Sequence, residues 1–302
     1  MKKTYLLIIG LLISGMLFGQ QLNINSLYNL NKYEINPAVA GSEEGLPLAF
    51  SYRKSWVGIE GSPSMQMLSG HMEIVDRMGV GVRMFNSTQG PLRKTGMEAT
   101  YAYHIPFSGS DSRLSFGLSG FIYQYYLNKQ ELNVEDPGDL ALQGTEHKVV
   151  PDAAFGAYYY GPNYFAGLSV YQLFQGRVRF DANDIADNQR IRHYFLNLGY
   201  NFEISQDFEL ESSVLFKYLE SSVFQADINL YGTFKKMVSL GLSYRSGNAM
   251  VIQLGYKNGA INVGYAYDLS LSDIKTVNSG SHEIMFIYRF SNFLTKPVIE
   301  EE

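Results

Sequence analysis

Apolar and polar residues alternate with a period of two over most of this chain, and that pattern most limits what it can fold into. Tyr194, Leu196, Leu198, Tyr200 and Phe202 alternate with Phe195, Asn197, Gly199 and Asn201. Phe208, Leu210, Val214, Phe216 and Tyr218 alternate with Glu209, Glu211, Ser213 and Lys217. Phe224, Ala226, Ile228 and Leu230 do so with Gln225, Asp227 and Asn229, and Met250, Ile252, Leu254 and Tyr256 with Gln253, Gly255 and Lys257. Val238 to Arg245, Val80 to Met84, Met97 to Ile105 and Leu114 to Ile122 repeat the pattern. Period two means strands with unlike faces. Runs near 48–56, 63–74, 152–160, 163–173 and 281–290 bring the total to about 14, an even number. Each is near the roughly 9 to 11 residues with which a tilted strand crosses a bilayer.

The connections give a second, independent signal. If the first strand starts on the periplasmic side, the gaps near 75–77, 106–111, 161–162, 203–207, 232–236 and 257–260 fall at one end, and all are short. The three longest, near 127–150, 174–190 and 269–280, fall at the other. Outer-membrane barrels separate short periplasmic turns from long external loops in this way, whereas a soluble sandwich has no reason to. Lipid cannot satisfy an open sheet edge, so the sheet must close. The expected fold is therefore an all-β, transmembrane antiparallel β-barrel of about 14 strands, of the outer-membrane type. Lys257-Asn258-Gly259-Ala260 reads as a tight hairpin turn centred on Asn-Gly. Tyr158, Tyr159, Tyr160, Tyr164, Tyr200, Phe202, Tyr256, Tyr265, Tyr267, Tyr288 and Phe290 cluster toward strand ends, where aromatic girdles meet the membrane interface.

Residues 1–19 have Lys2 and Lys3, then an apolar run to Phe18 and small residues at its end. This is a secretory signal peptide. The expected organisation is a signal peptide at 1–19, a periplasmic or lumenal segment at 20–46, the barrel at 47–290 and a periplasmic tail at 291–302, with the mature protein in the outer membrane. The absence of cysteine excludes thiol catalysis and Cys-ligated metals. A net charge of −5 without a basic block argues against nucleic acid.

The faces expected to point inward carry Arg53, Arg83, Glu98, His104, Glu209, Glu211, Lys217, Asp227, Glu283 and Arg289. Arg or Lys facing lipid costs about 2–4 kcal/mol at the midplane, so these charges should pair inside the lumen. Their signs roughly balance, whereas a selective pore would show one in excess. His71, His104, His147, His193 and His282 form no zinc-ligand spacing. Ser281-His282-Glu283 puts the histidine on the opposite face from its neighbours, the wrong geometry for a catalytic triad, so no enzyme activity is expected. Asp181 to Asp187 is rich in hard oxygen ligands that suit calcium, but Ile185 fills a ligand position and the turn glycine of an EF-hand is missing. Leu132 to Asp139 forms a similar acidic loop. No other cofactor is expected. The single tryptophan, Trp56, sits in Y-R-K-S-W-V-G-I-E-G-S-P beside a turn made by Gly58, Gly61 and Pro63. It reads either as an interfacial anchor or, with Arg53, as a partner-binding hot spot.

The block Tyr33-Glu34-Ile35-Asn36-Pro37-Ala38-Val39-Ala40-Gly41-Ser42, with Tyr52-Arg53, Trp56-Val57-Gly58, Gly61-Ser62-Pro63, Gln66, Ser69 and His71, resembles the start of the PorP/SprF family. The resemblance continues through Gly79-Val80-Gly81-Val82, Tyr101-Ala102-Tyr103, Leu114 to Ser119, Tyr164 to Val170 and His282-Glu283-Ile284. Ser87 and Ser55 depart from the pattern and leave the subfamily open. The resemblance implies an outer-membrane protein of the type IX secretion system and gliding machinery. It would bind and anchor a secreted partner, such as a large adhesin with a C-terminal sorting domain, or link to periplasmic secretion or motility components. The partner's terminal domain would seat in or on the mouth through Arg53, Trp56, Gly58, Gly61 and Pro63, while Asn36, Pro37 and Gly41 shape a segment that enters the barrel. The alternative is a passive porin or hydrophobic-solute channel.

Overall fold

The computed structural model describes residues 25–131, 145–176, 190–220, 223–247 and 249–291. The signal segment at 1–19, the Asp181–Asp187 and Leu132–Asp139 loops and the tail beyond Ser291 lie outside the described residues. The alternating runs form β1 (Leu46–Lys54), β2 (Ser64–Val75), β3 (Met78–Gln89), β4 (Leu92–Pro106), β5 (Arg113–Asn128), β6 (Thr145–Tyr160) and β7 (Tyr164–Tyr171). They continue as β8 (His193–Ser205), β9 (Phe208–Leu219), β10 (Val223–Phe234), β11 (Val238–Arg245), β12 (Ala249–Asn258), β13 (Ile261–Ser270) and β14 (Ser281–Phe290). Each strand pairs antiparallel with its sequence neighbours, and β1 pairs with β14, from Leu46↔Phe290 to Lys54↔His282, closing a 14-stranded barrel. Closure leaves no sheet edge facing lipid, which an apolar solvent requires.

The side-chain period fixes what each solvent sees. On β12, Met250, Ile252 and Leu254 point outward, while Val251 and Gln253 are buried inside. The same phase runs round the wall, giving an apolar outer band and an interior where polar and charged side chains alternate with apolar clusters such as Phe121, Tyr171 and Phe195.

Two local expectations need correction. The strands range from 8 to 16 residues rather than holding near one bilayer's span. β5 and β6 pair along their full length, but the β6–β7 ladder starts only at Ala154↔Tyr171, so 145–153 rise clear of β7 at the loop-rich end. Glu146, His147 and Lys148 on this projection put polar groups on both faces, as a segment beyond hydrocarbon can. The hairpin after β12 is also offset by one residue. Asn258 pairs with Ile261, so the central residues are Gly259 and Ala260, and of these only Gly259 has positive φ, +55°. A turn with glycine at the first central position needs one positive φ rather than two.

Residues 25–42 do not join the sheet. They lie inside the barrel as an arm with short 3-10 turns at Lys32–Glu34 and Pro37–Val39. Leu27, Tyr33, Ala38 and Ala40 are fully buried against the wall. The arm begins at the loop-rich end, where Ser26 meets the ends of β1, β13 and β14. It finishes at the short-turn end, where Gly41, at φ +81°, lies against the backbone of Gly79. A Cβ on Gly41 would stand 2.6 Å from the Gly79 Cα, so both positions exclude a side chain.

Candidate functional site

The arm and the wall are joined by hydrogen bonds round the lumen. The Asn36 side chain caps its own turn, its Oδ1 accepting from Ala38 N–H at 2.9 Å, and its Nδ2 donates to Ala157 O on β6 at 3.0 Å. Pro37 follows at the first turn position, where its missing N–H has no intrahelical partner to lose. His71 and His104 hold the far end of the arm. Gly41 N–H donates to His71 Nδ1 at 3.1 Å, and His104 Nε2 lies 2.9 Å from Ala40 O. Tyr33 shares a hydrogen bond with Thr100, Tyr28 OH accepts from Asn229 Nδ2, and Lys32 pairs with Glu211 at 3.1 Å. At the short-turn rim Arg289 Nη2 meets Glu43 at 2.6 Å. Lys236 lies 3.5 Å from Glu209 at the same end.

The densest electrostatic knot surrounds Ser26. Arg53 pairs with Asp268 at 2.7 Å and Glu283 at 3.0 Å. Arg245 reaches Asp227 and Asp268, and Lys217 meets Asp227 at 2.7 Å. The Ser26 N–H donates to Glu283 at 2.6 Å and its hydroxyl donates to Asp268 at 2.8 Å. Three cations thus face three carboxylates, and the arm adds donors from the Ser26 backbone and hydroxyl and from Leu27 N–H. Mutual neutralisation lets these charges stay buried; removing one partner of such a set costs about 3–5 kcal/mol. Asp268 and Arg245 were absent from the inward charges expected from sequence, although the phase that sends Tyr267 and Tyr244 outward turns them inward.

A second knot joins Arg83 to Glu98, and Arg83 Nη1 donates to Glu34 O at 2.5 Å. The Glu34 carboxyl, on the first 3-10 turn of the arm, is buried in the lumen and accepts from Asn25 at 3.0 Å. Burial, reinforced by the charge of Glu283 and opposed by Arg83, pushes its pKa up to about 8. Burial likewise raises the phenols of Tyr28 and Tyr33, so both stay protonated.

The residues grouped with Trp56 are divided between two places. Arg53 is committed to the lumenal knot. Trp56, at φ +48° and half-buried, begins a rim loop, its N–H donating to Ser281 Oγ at 3.1 Å. Val57 exchanges backbone hydrogen bonds with Gly280 and Ser279, while Gly90 N–H donates to Gly61 O. The loop therefore ties the β13–β14 connection to the β3–β4 turn along the rim. Gly58 and Gly61 are exposed with positive φ, and Pro63 is buried beneath them. Ser281 and Glu283 face inward, whereas His282 sits on the outer side against Tyr265 and Tyr267. Among the described residues no three metal-ligating side chains converge.

A closed sheet with an apolar exterior, short turns at one end, long loops at the other and an occupied lumen defines an outer-membrane β-barrel. Among solved structures, the toluene transporter TbuX of Ralstonia pickettii covers 90% of this chain and 96% of its own at 11% identity, with a TM-score of 0.51. The outer membrane protein Omp33 of Acinetobacter baumannii covers 83% of this chain and 100% of its own at 9% identity, with a TM-score of 0.50. At such identities the similarity is one of fold. No curated protein matches the chain by sequence. The family described as type IX secretion system membrane protein PorP/SprF matches residues 17–288, and the chain belongs to it. The protein is accordingly an outer-membrane protein.

Proposed function

We propose that this barrel anchors a secreted partner of the type IX pathway at the cell surface, engaging it from the loop-rich end. The observation that carries the proposal is the occupied lumen. An arm hydrogen-bonded to strands from β1 to β14 leaves the rim and upper vestibule as the working surface, rather than a through-channel. The raised β5–β6 hairpin and the rim loop from Trp56 to Pro63 supply exposed edges and turns for a protein-sized contact. Family membership supports a role with secretion components or their cargo.

The test is gentle purification of the full chain, mass spectrometry of what accompanies it, and reconstitution of that partner's C-terminal domain with the barrel in nanodiscs. A reconstituted complex is expected; a bare barrel, together with a large stable conductance in planar bilayers, would refute anchoring. A second proposal, a conduit for small apolar solutes, draws support from an aromatic-lined cavity at the loop-rich end and from a fold shared with a toluene transporter. It predicts solute uptake that Gly41 or Gly79 substitutions alter by moving the arm.

A further inference from the structure

Beside the arm, toward the loop-rich end, the lumen holds a cavity of about 230 Å³. Asn25, Glu34 and Ile35 of the arm line it, together with Arg83, Phe85, Lys94 and Tyr123 of the wall. Lys94 is two residues from the loop end of β4, on the inward face it shares with Glu98 and Thr100. Its ammonium stands 4.4 Å from the ring centre of Tyr123, 5.4 Å from Phe85 and 5.6 Å from Tyr125. The nearby carboxylates are already taken, Asp152 by Arg190 at 2.7 Å and Glu98 by Arg83. Among the described residues no carboxylate pairs with Lys94.

Three further features show that the place is built. A Cβ on Gly96 would fall 3.0 Å from Tyr123 Cδ1 and closer still to the Phe85 ring. The two rings, centred 5.7 Å apart and tilted by 54° to one another, therefore close over that glycine as an apolar platform beside the ammonium. Asn25 is 1% exposed, its Nδ2 is used by Glu34 and Ser51, and its Oδ1 has no partner. Arg83 Nε is a second buried polar atom without one. A cation without an anion, an apolar platform and an orphan acceptor specify a ligand with a carboxylate, an apolar group next to it, and an N–H one bond further on. The last residue of a peptide has all three. The volume is below the roughly 300 Å³ at which most small-molecule pockets begin, so it suits one or two residues and not a folded domain.

We propose that this cavity binds the free carboxyl terminus of a peptide chain ending in an apolar or aromatic residue. Its carboxylate pairs with Lys94, its side chain lies on Phe85 and Tyr123, and its last N–H donates to Asn25 Oδ1. The inference rests on the anchoring function proposed above and supplies its contact point.

The probe is acetyl-Gly-Leu-Phe as free acid, compared with its carboxamide and with phenylacetate, by calorimetry on the full barrel in nanodiscs. The free acid is expected to bind about 10- to 100-fold tighter than the carboxamide, the range of a charge-assisted hydrogen bond. K94Q should abolish that preference and K94R should keep it. Equal binding of acid and carboxamide by the wild type overturns the site, and this comparison holds even if a variant does not fold. Phenylacetate binding as tightly as the peptide assigns the cavity to small free carboxylates and overturns the peptide terminus. A secreted partner that binds wild type and K94Q alike, with no peptide preference, removes the cavity and leaves anchoring intact. A peptide preference without any partner does the reverse.

Discussion

Glu34 gives the arm a pH dependence that can be worked out in advance. Its carboxyl is buried on the arm beside Glu283, and burial raises its pKa from the ordinary 4.5 to about 8. A released arm would place the same group in water. An acid with a raised bound-state pKa stabilises docking fully below 4.5, and that stabilisation is lost as pH rises through about 8. At about 1.4 kcal/mol per tenfold, the gap corresponds to at most about 5 kcal/mol, and roughly 2 kcal/mol or more should survive local relaxation. The assay is hydrogen exchange of the arm's amides from Leu27 to Gly41 between pH 5 and 8.5, corrected for intrinsic rates, for wild type and E34Q. Wild-type protection should fall by at least about 30-fold across that window, the equivalent of about 2 kcal/mol. E34Q keeps an acceptor for Asn25 and cannot ionise, so its protection should stay flat. The difference between the two proteins removes the effect of every other titrating group. A wild-type slope that E34Q reproduces would refute this account.

Other outcomes follow from the same packing. R53M leaves Asp268 and Glu283 without their shared cation and should cost about 3–5 kcal/mol in urea unfolding from bilayers, with part recovered in R53M/E283Q. G79V places a branched side chain where Ala40 and Gly41 pass, and should expose the arm to protease and raise single-channel conductance while the barrel stays heat-modifiable on gels. L254K puts an ammonium on the lipid face near the middle of β12 and should cost about 2–4 kcal/mol of folding free energy, whereas a lysine at Gln253 meets the lumen and should not follow that scale.

The wall was legible because its cause is local. Each residue's face depends only on its parity along a strand, so Arg83, Glu98, Lys217, Asp227 and Glu283 could be assigned inward from the alternation alone. Asp268 and Arg245 were equally readable and needed only the same phase carried to the end of each strand. The hairpin at Gly259 was harder, since Asn-Gly and Gly-Ala differ by one residue and only the ladder from Asn258↔Ile261 chooses between them. The lumen was far less legible. Ser26 meets Glu283 across most of the chain length, and the Lys94 platform combines β3, β4 and β5 with Asn25 of the arm. Such meetings depend on strand stagger and closure, which no window of sequence encodes. The rim position of Trp56 depends likewise on the loop after β13.

Ser26 touches both sides of the seam, its hydroxyl accepting from Arg53 on β1 and its N–H donating to Glu283 on β14. The first and final strands are the farthest apart in the polypeptide, so their pairing closes the longest loop. A sealed cylinder could receive this arm only by threading a free end, whereas a sheet that curls round it meets no such obstacle. The amino-terminal region would then act as a mandrel, setting the stagger at which the cylinder zips shut. Deleting 25–42 should therefore slow sealing or let β1 and β14 pair out of step, which cysteine crosslinking across Ser51 and Met285 would reveal.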